Sequence, residues 1–237
     1  MKESKINNVA EKGLLLYHEV LLLAFNDKTG KPESDLYSLA VSAAVLAELL
    51  LAGRIKIEPN DDSFVHLIDS SPTGHDILDR SLRAIGFSKK PKSMLHWMVN
   101  RFDPNDLARL VANELCSMGI LAREDSTLMW LFPVDCYPEA DPQAETSIKS
   151  RLNSFLFEDE TDVSERTVLL ACLANIAKLL EPNFGVLKVA KKQECINEML
   201  ASNVHGKTIE NIIAAFRHQQ AQLEQLALLN VVFVASI

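Results

Sequence analysis

Residues 39–52, within SLAVSAAVLAELLLAG, form an apolar, alanine-rich run broken by one charge, Glu48. A helix without a polar face has to be covered all round, and small side chains let neighbouring helices approach closely. The run therefore predicts the central helix of a mainly α, single compact multi-helix domain, with Gly53 as its stop. A second run, LLLYHEVLLLAF at 14–25, predicts an early buried helix, although its length would also fit a buried strand. No apolar run reaches the roughly 20 residues that a helix needs to span a bilayer. The nearest is LALLNVVFVASI at 226–237, interrupted by Asn230 and expected as a helix turn followed by a core or interface strand. Shallow membrane insertion or a partner contact is its alternative. The expected organisation is one domain over 13–229 followed by an apolar tail at 230–237.

Short antiparallel β-hairpins complete the fold class. RIKIE at 54–58 and FVHLI at 64–68 alternate in polarity, and EPNDDS closes them into a ribbon. Asp69 and Ser70 then lead into SPTGHDILDRSL at 71–82, a turn feeding a helix, with Ile77, Leu78, Leu82 and Ile85 at helical spacing. Thr73 is expected as the N-cap and Asp76 as its capping-box partner. Further helices are expected at 93–102, 104–118, 147–157, 164–180, 188–200 and 208–229, with Pro104 in a first turn and Ser164 as a cap. A helix, an exit at Gly119 and an apolar strand at 127–134 trace the outline of a winged helix, without the arginine-studded recognition helix of a nucleic-acid reader. Glu158, Asp159, Glu160, Asp162 and Glu165 read as a solvated acidic connector.

A net charge of -8 disfavours a surface that attracts nucleic acid as a whole, and no nucleic-acid partner is expected. Cys116, Cys136, Cys172 and Cys195 have no CxxC spacing and are expected as buried free thiols. The opening MKESKINNVAEKG lacks the apolar stretch of a secretory signal, so a reducing, cytoplasmic compartment is expected.

Chemistry-bearing motifs are sparse. His18, His66, His75, His96, His205 and His218 form no HExxH, and the chain has no GxSxG, GxxxxGK[ST] or GxGxxG. No catalytic, metal or cofactor set is expected. His18, Glu19 and Glu48 lie in apolar runs and are expected as hydrogen-bonded core residues, because an unpaired buried carboxylate is costly. His75 and Asp76 read as exposed turn residues. An enzyme acting on a lipid or small molecule is the competing class, resting on Glu48, His18 and His75. A pocket joining two of them within hydrogen-bond reach would favour it.

The segment 80–101 departs from the acidic whole. It carries Arg80, Arg83, Lys89, Lys90, Lys92 and Arg101 with no Asp or Glu, and adds Trp97 and Met98. Anionic headgroups attract such clusters, and an amphipathic aromatic suits the interface. The alternative is a solvated basic face beside a core tryptophan.

Read in order, LLLYHEVLLLAFNDKTGK, AELLLAGRIKIE, SPTGHDILDRSL, the tryptophan of MLHWMV, ELCSMGILARE, SIKSRL, TVLLACLANIAKLLEP and NIIAAFR make the chain, over about 13–217, similar to the Golgi phosphoprotein 3 family. The resemblance implies a noncatalytic, peripheral membrane protein, here a diverged bacterial-type member. Eukaryotic members bind phosphatidylinositol 4-phosphate on the cytosolic face of the Golgi and act as adaptors that retain glycosyltransferases. The resemblance carries one basic headgroup position onto Arg151, a second onto Ser154 and a central-helix arginine onto Ser42. The family's tryptophan before the central helix has no counterpart at 26–41. Charged hydrogen bonds to phosphate are worth about 1.5–3 kcal/mol each, so losing two weakens headgroup binding by roughly two to four powers of ten.

The expected lipid-binding set is Arg151, Ser42, Ser154, Lys89, Lys90, Lys92 and Trp97, contacting an anionic membrane surface through a diverged site. The family's longer insertion, with a hairpin associated with self-association, is replaced by the short acidic FEDETDVSER. The C-terminal tail is therefore the expected surface for self-association or a protein partner.

Overall fold

The computed structural model describes residues 13–58, 63–101, 104–125, 135–158, 160, 162–201 and 221. In chain order the elements are α1 (Leu16–Ala24), α2 (Tyr37–Leu51), β1 (Ile55–Ile57), β2 (Phe64–Leu67), α3 (Asp76–Gly86), β3 (Lys92–Ser93) and α4 (Met94–His96). A π turn at Trp97–Arg101 follows, then α5 (Pro104–Ser117), β4 (Glu124–Asp125), β5 (Asp135–Cys136), α6 (Pro142–Phe157), α7 (Glu165–Ile176), α8 (Leu180–Phe184) and α9 (Val186–Ala201).

The two apolar runs fold into the centre as helices. Every residue of α1 is buried, and α1 packs against α2, α5, α6 and α7. At nine residues α1 is too short to hold as an isolated helix in water, so packing and side-chain caps sustain it. The Leu15 amide donates to His18 Nδ1 at 3.1 Å, and the Leu16 amide donates to Glu48 Oε1 at 2.5 Å. Two orphan donors of the first turn are thus satisfied without a Ser, Thr or Asp cap. The central α2 is buried from Ala40 to Leu50. Its one buried hydroxyl within that stretch, Ser42 Oγ, donates back to the Ser38 carbonyl at 3.1 Å. Gly53 ends it as expected: at φ 66° it lets the Arg54 amide turn back onto the Leu49 carbonyl, 2.8 Å away.

The ribbon pairs in the expected antiparallel sense, with Ile55 opposite Leu67 and Ile57 opposite Val65. A third strand, β3, adds Lys92 opposite Val65 and Ser93 opposite Phe64. Residues 92–93, expected at or beside the start of a helix, therefore complete a sheet. Ser93 then caps α4 by accepting the His96 amide at 3.2 Å.

Other local expectations change, α6 among them, which starts at Pro142 and not at 147. Thr73 does not cap α3, whose N-cap is His75 with no side-chain bond. The Thr73 amide and hydroxyl instead both donate to Asp79 Oδ1, at 2.6 and 2.7 Å, while Asp76 pairs with Arg80. The helix expected over 164–180 stops at Ile176, because Lys178 takes a left-handed φ of 58° and the Leu179 amide folds back onto the Ala174 carbonyl. Ser164 does cap it, through the Thr167 amide. All four thiols are free, as expected, but only Cys136 and Cys172 are buried, with Cys116 half-buried and Cys195 exposed. Cys195 sits on the solvent side of α9, where Ile196 faces the core.

One long-range crossing positions the loop between α1 and α2. Gly30, at φ 60°, lies so close to the segment before α6 that an added Cβ would sit 2.3 Å from the Tyr137 nitrogen. The Tyr137 amide donates to the Gly30 carbonyl and the Glu139 amide to that of Asp27, each at 3.1 Å. The Phe25 ring stacks on Tyr137 with centroids 5.6 Å apart. The ends of the winged-helix outline are present, β4 pairing antiparallel with β5 after Gly119. The strand expected at 127–134 and the tail at 230–237 lie outside the described residues, as does the helix expected at 208–229 apart from residue 221. Among the described residues no helix is long and apolar enough to cross a membrane.

Candidate functional site

Arg151, expected from the resemblance as a headgroup contact, is internally neutralised. Arg151, on α6, donates from Nη2 to Glu19 Oε1 at 2.7 Å, and Glu19 is buried on α1. Ser154 Oγ donates to Glu158 at 3.1 Å. Ser42 is 0% exposed inside α2, so this position cannot reach a headgroup. Lys188 lies 4.2 Å from the Phe157 ring centroid at the end of α6 and bonds Asn153 on the same helix.

Where the loop after α1 meets the start of α6, carboxylates gather. Asp27, Glu139 and Glu145 bring carboxylate oxygens within 4.8 Å of one another. Lys149 Nζ stands 2.5 Å from Glu145 Oε1 and 3.5 Å from Asp27 Oδ1. Burial raises the Glu145 carboxyl to about 7, with the charges of Asp27 and Glu139 adding to the rise and Lys149 opposing it. Burial likewise raises Glu139, helped by the Asp27 charge. Burial alone would lower Lys149, but its bond and charge contact with Glu145 outweigh this and raise it. These three carboxylates are the donor set a cation could use, and the Lys149 ammonium already supplies positive charge there. An anionic headgroup would be repelled.

The polar residues of the apolar runs are partnered in the core. Arg166 of α7 clasps Glu48 through both terminal nitrogens, Nη1 at 3.1 Å. His18 Nδ1 accepts the Leu15 amide, so the proton sits on Nε2, which pairs with Glu114 Oε2 at 2.9 Å. A pocket of about 520 Å³ does place His18 and His75 among its lining residues, with Glu114 and Asp76. Both ring nitrogens of His18 are engaged, however, and Glu48 belongs to the Arg166 pair outside that lining. His75 and Asp76 are exposed, as expected of the turn before α3. The three prompts for an enzyme therefore divide between core pairing and surface. Tyr17 lies beside this cluster with its hydroxyl pushed up, first by burial and then by the charges of Glu114 and Glu48.

The basic segment remains. Lys89 and Lys90, on the turn between α3 and β3, and Lys92, the first residue of β3, are all exposed, and none has an ion pair among the described residues. The turn is set by the Phe87 amide on the Arg83 carbonyl at 2.9 Å, the Ser88 amide on Ile85 at 3.1 Å, and Ser88 Oγ on the Lys90 carbonyl at 2.7 Å. Trp97 and Met98 are core residues, 1% and 3% exposed, because the π turn carrying them packs against α2. Trp97 is thus not available as an interfacial aromatic. Among the described residues the exposed aromatic is Phe87, 81% accessible. Sequence reasoning missed it because it directly follows the apolar stripe of α3; only its place beyond Gly86, beside SKKPK, hinted at a different environment.

Comparison with known proteins finds relatives of this chain. The chain is 26% identical over 227 residues to vacuolar protein sorting-associated protein 74 of Eremothecium gossypii, covering 81% of this chain and 68% of that one. It is 28% identical over 220 residues to the protein of the same name from Schizosaccharomyces pombe, covering 78% and 65%. The matched region thus spans about two-thirds of those relatives' length. The family described as Golgi phosphoprotein 3 (GPP34) matches residues 16–216, from the first turn of α1 through all of α9, and the chain belongs to that family.

Proposed function

We propose that the chain is a noncatalytic peripheral membrane protein of adaptor type, a diverged bacterial-type member of its family. It docks on the cytoplasmic face of a membrane through the negative charge of phospholipids rather than through one headgroup. The observation that carries this reading is the cluster of Lys89, Lys90 and Lys92, all exposed and without ion pairs among the described residues, in a chain of net charge -8. Each lysine close to an anionic surface contributes about 1 kcal/mol, so three favour binding by roughly two powers of ten. No comparable cation faces outward at Arg151, which Glu19 holds. The names of the two relatives associate those proteins with vacuolar protein sorting, which supports an adaptor role.

Flotation with neutral, phosphatidylserine-containing and phosphatidylinositol 4-phosphate-containing vesicles tests the reading. Binding is expected to follow surface charge and to weaken with salt, since exposed charges are screened over about 10 Å at 0.1 M. Replacing the three lysines by glutamate is expected to abolish it. Selective binding of phosphatidylinositol 4-phosphate over vesicles of equal charge would overturn the reading.

A further inference from the structure

We infer that Phe87 and Ile68 form an apolar wedge that enters the acyl region of an anionic bilayer while Lys89, Lys90 and Lys92 hold the headgroups. This rests on the membrane reading above and assigns the contact to a corner of the fold. Phe87 is 81% exposed and Ile68 56% exposed. They share a corner because the residues before them touch: a Cβ built on Gly86 would lie 3.3 Å from Leu67 Cδ2. Phe87 follows Gly86 at the end of α3, and Ile68 follows Leu67 at the end of β2. β3 returns beside β2 and places Lys92 opposite Val65, so the lysines flank the corner. Arg83, also exposed, adds positive charge on the last turn of α3.

The chemistry of the patch selects its occupant. A single exposed apolar side chain is ordinary on a soluble protein, but here two follow residues that approach each other and their flank is cationic. Val186 and Leu187 form another exposed apolar pair, yet Lys188 beside them is turned onto Phe157 and Asn153. A second copy of this chain fits the Phe87 corner poorly. Phe87 and Ile68 expose on the order of 250 Å² of apolar side chain, well short of the roughly 800 Å² per partner of a stable interface. A two-fold contact would also bring lysine against lysine. An anionic bilayer meets both halves of the patch, with phosphate for the ammonium groups and hydrocarbon beneath them for the two side chains.

The test separates insertion from charge. Full-length Phe87→Trp is mixed with phosphatidylserine-containing vesicles carrying bromine on the acyl chains, and its quenching is compared with that of the unsubstituted protein. Phe87→Ser and Ile68→Ser are assayed by flotation; both sites are exposed, and circular dichroism confirms that the variants fold. The expected results are added quenching in Phe87→Trp and about a tenfold loss of vesicle partition in Phe87→Ser. Charge-dependent flotation without added quenching, and with Phe87→Ser binding as the parent does, would overturn the wedge and leave the electrostatic reading standing. Failure to float with any vesicle would remove that reading and the wedge with it. Conversion of a sedimenting dimer to monomer by Phe87→Ser, with flotation unchanged, would assign the corner to a second copy and overturn the wedge.

Discussion

Arg151 Nη2 lies 2.7 Å from Oε1 of Glu19, and that contact joins α6 to the first turn of α1. Glu19 is 3% exposed, so its carboxylate depends on the arginine for compensation. Arg151→Ala is expected to lower stability by about 2–4 kcal/mol, as when one partner of a buried pair is removed. Urea denaturation measures this. At temperatures where the variant stays folded, its vesicle binding is expected to match the parent's, which distinguishes a structural arginine from a headgroup ligand.

Tyr17 is 0% exposed and its hydroxyl has no hydrogen-bond partner among the described residues. Tyr17→Phe is therefore expected to be neutral or to stabilise by up to about 1 kcal/mol, because it removes an unsatisfied buried group and keeps the ring. A rise in thermal midpoint supports this. A loss of more than about 1 kcal/mol would show that the hydroxyl is satisfied.

The Glu145 carboxyl, raised from 4.5 to about 7, fixes the sign of a pH effect. An acid that binds its proton more tightly when folded contributes stability below pH 4.5 and loses that contribution as pH climbs through 7. Stability is expected to fall across that window with a slope approaching about 1.4 kcal/mol per pH unit. Glu145→Gln is expected to flatten the slope and to be the more stable form at pH 8. Chemical denaturation at matched pH values on both proteins is the check.

Gly30 and Gly53 both adopt left-handed backbone, at φ 60° and 66°, but in different surroundings. Nothing lies within 4 Å of an added Cβ at Gly53, so Gly53→Ala is expected to cost only the conformational strain, about 1 kcal/mol. At Gly30 the same Cβ would meet backbone atoms of Tyr137 and Pro138 at 2.3–2.4 Å. Gly30→Ala is expected to cost about 3 kcal/mol or more, by displacing the loop from the segment before α6. Thermal melts of the two variants should differ accordingly.

The long apolar elements were legible in the sequence because their signal is local. α1, α2, α3 and α5 fall where periodicity, Gly53, Pro104 and Gly119 put them. Partner identity was not legible, since Glu48 finds Arg166 across 118 residues and Glu19 finds Arg151 across 132. The break at Lys178 lacked the glycine that usually marks a left-handed residue, and β3 is too short to show alternation. Within the candidate site, Lys89, Lys90 and Lys92 were found by charge alone. Trp97, expected among the lipid-binding residues, is buried by a π turn, and the end of α3 exposes Phe87, for which no role was expected.

The polar staples of α1 also bear on how the chain folds during synthesis. His18 waits for Glu114, Glu19 for Arg151, and the carboxylate that caps Leu16 for Arg166. At about 5–20 residues per second, the 118 residues between Glu48 and Arg166 take on the order of ten seconds to follow. For that interval the most apolar helices exist without the groups that neutralise their buried charges. The earliest of these helices is thus among the last to be completed, and the nascent chain is exposed to aggregation until α7 has left the ribosome.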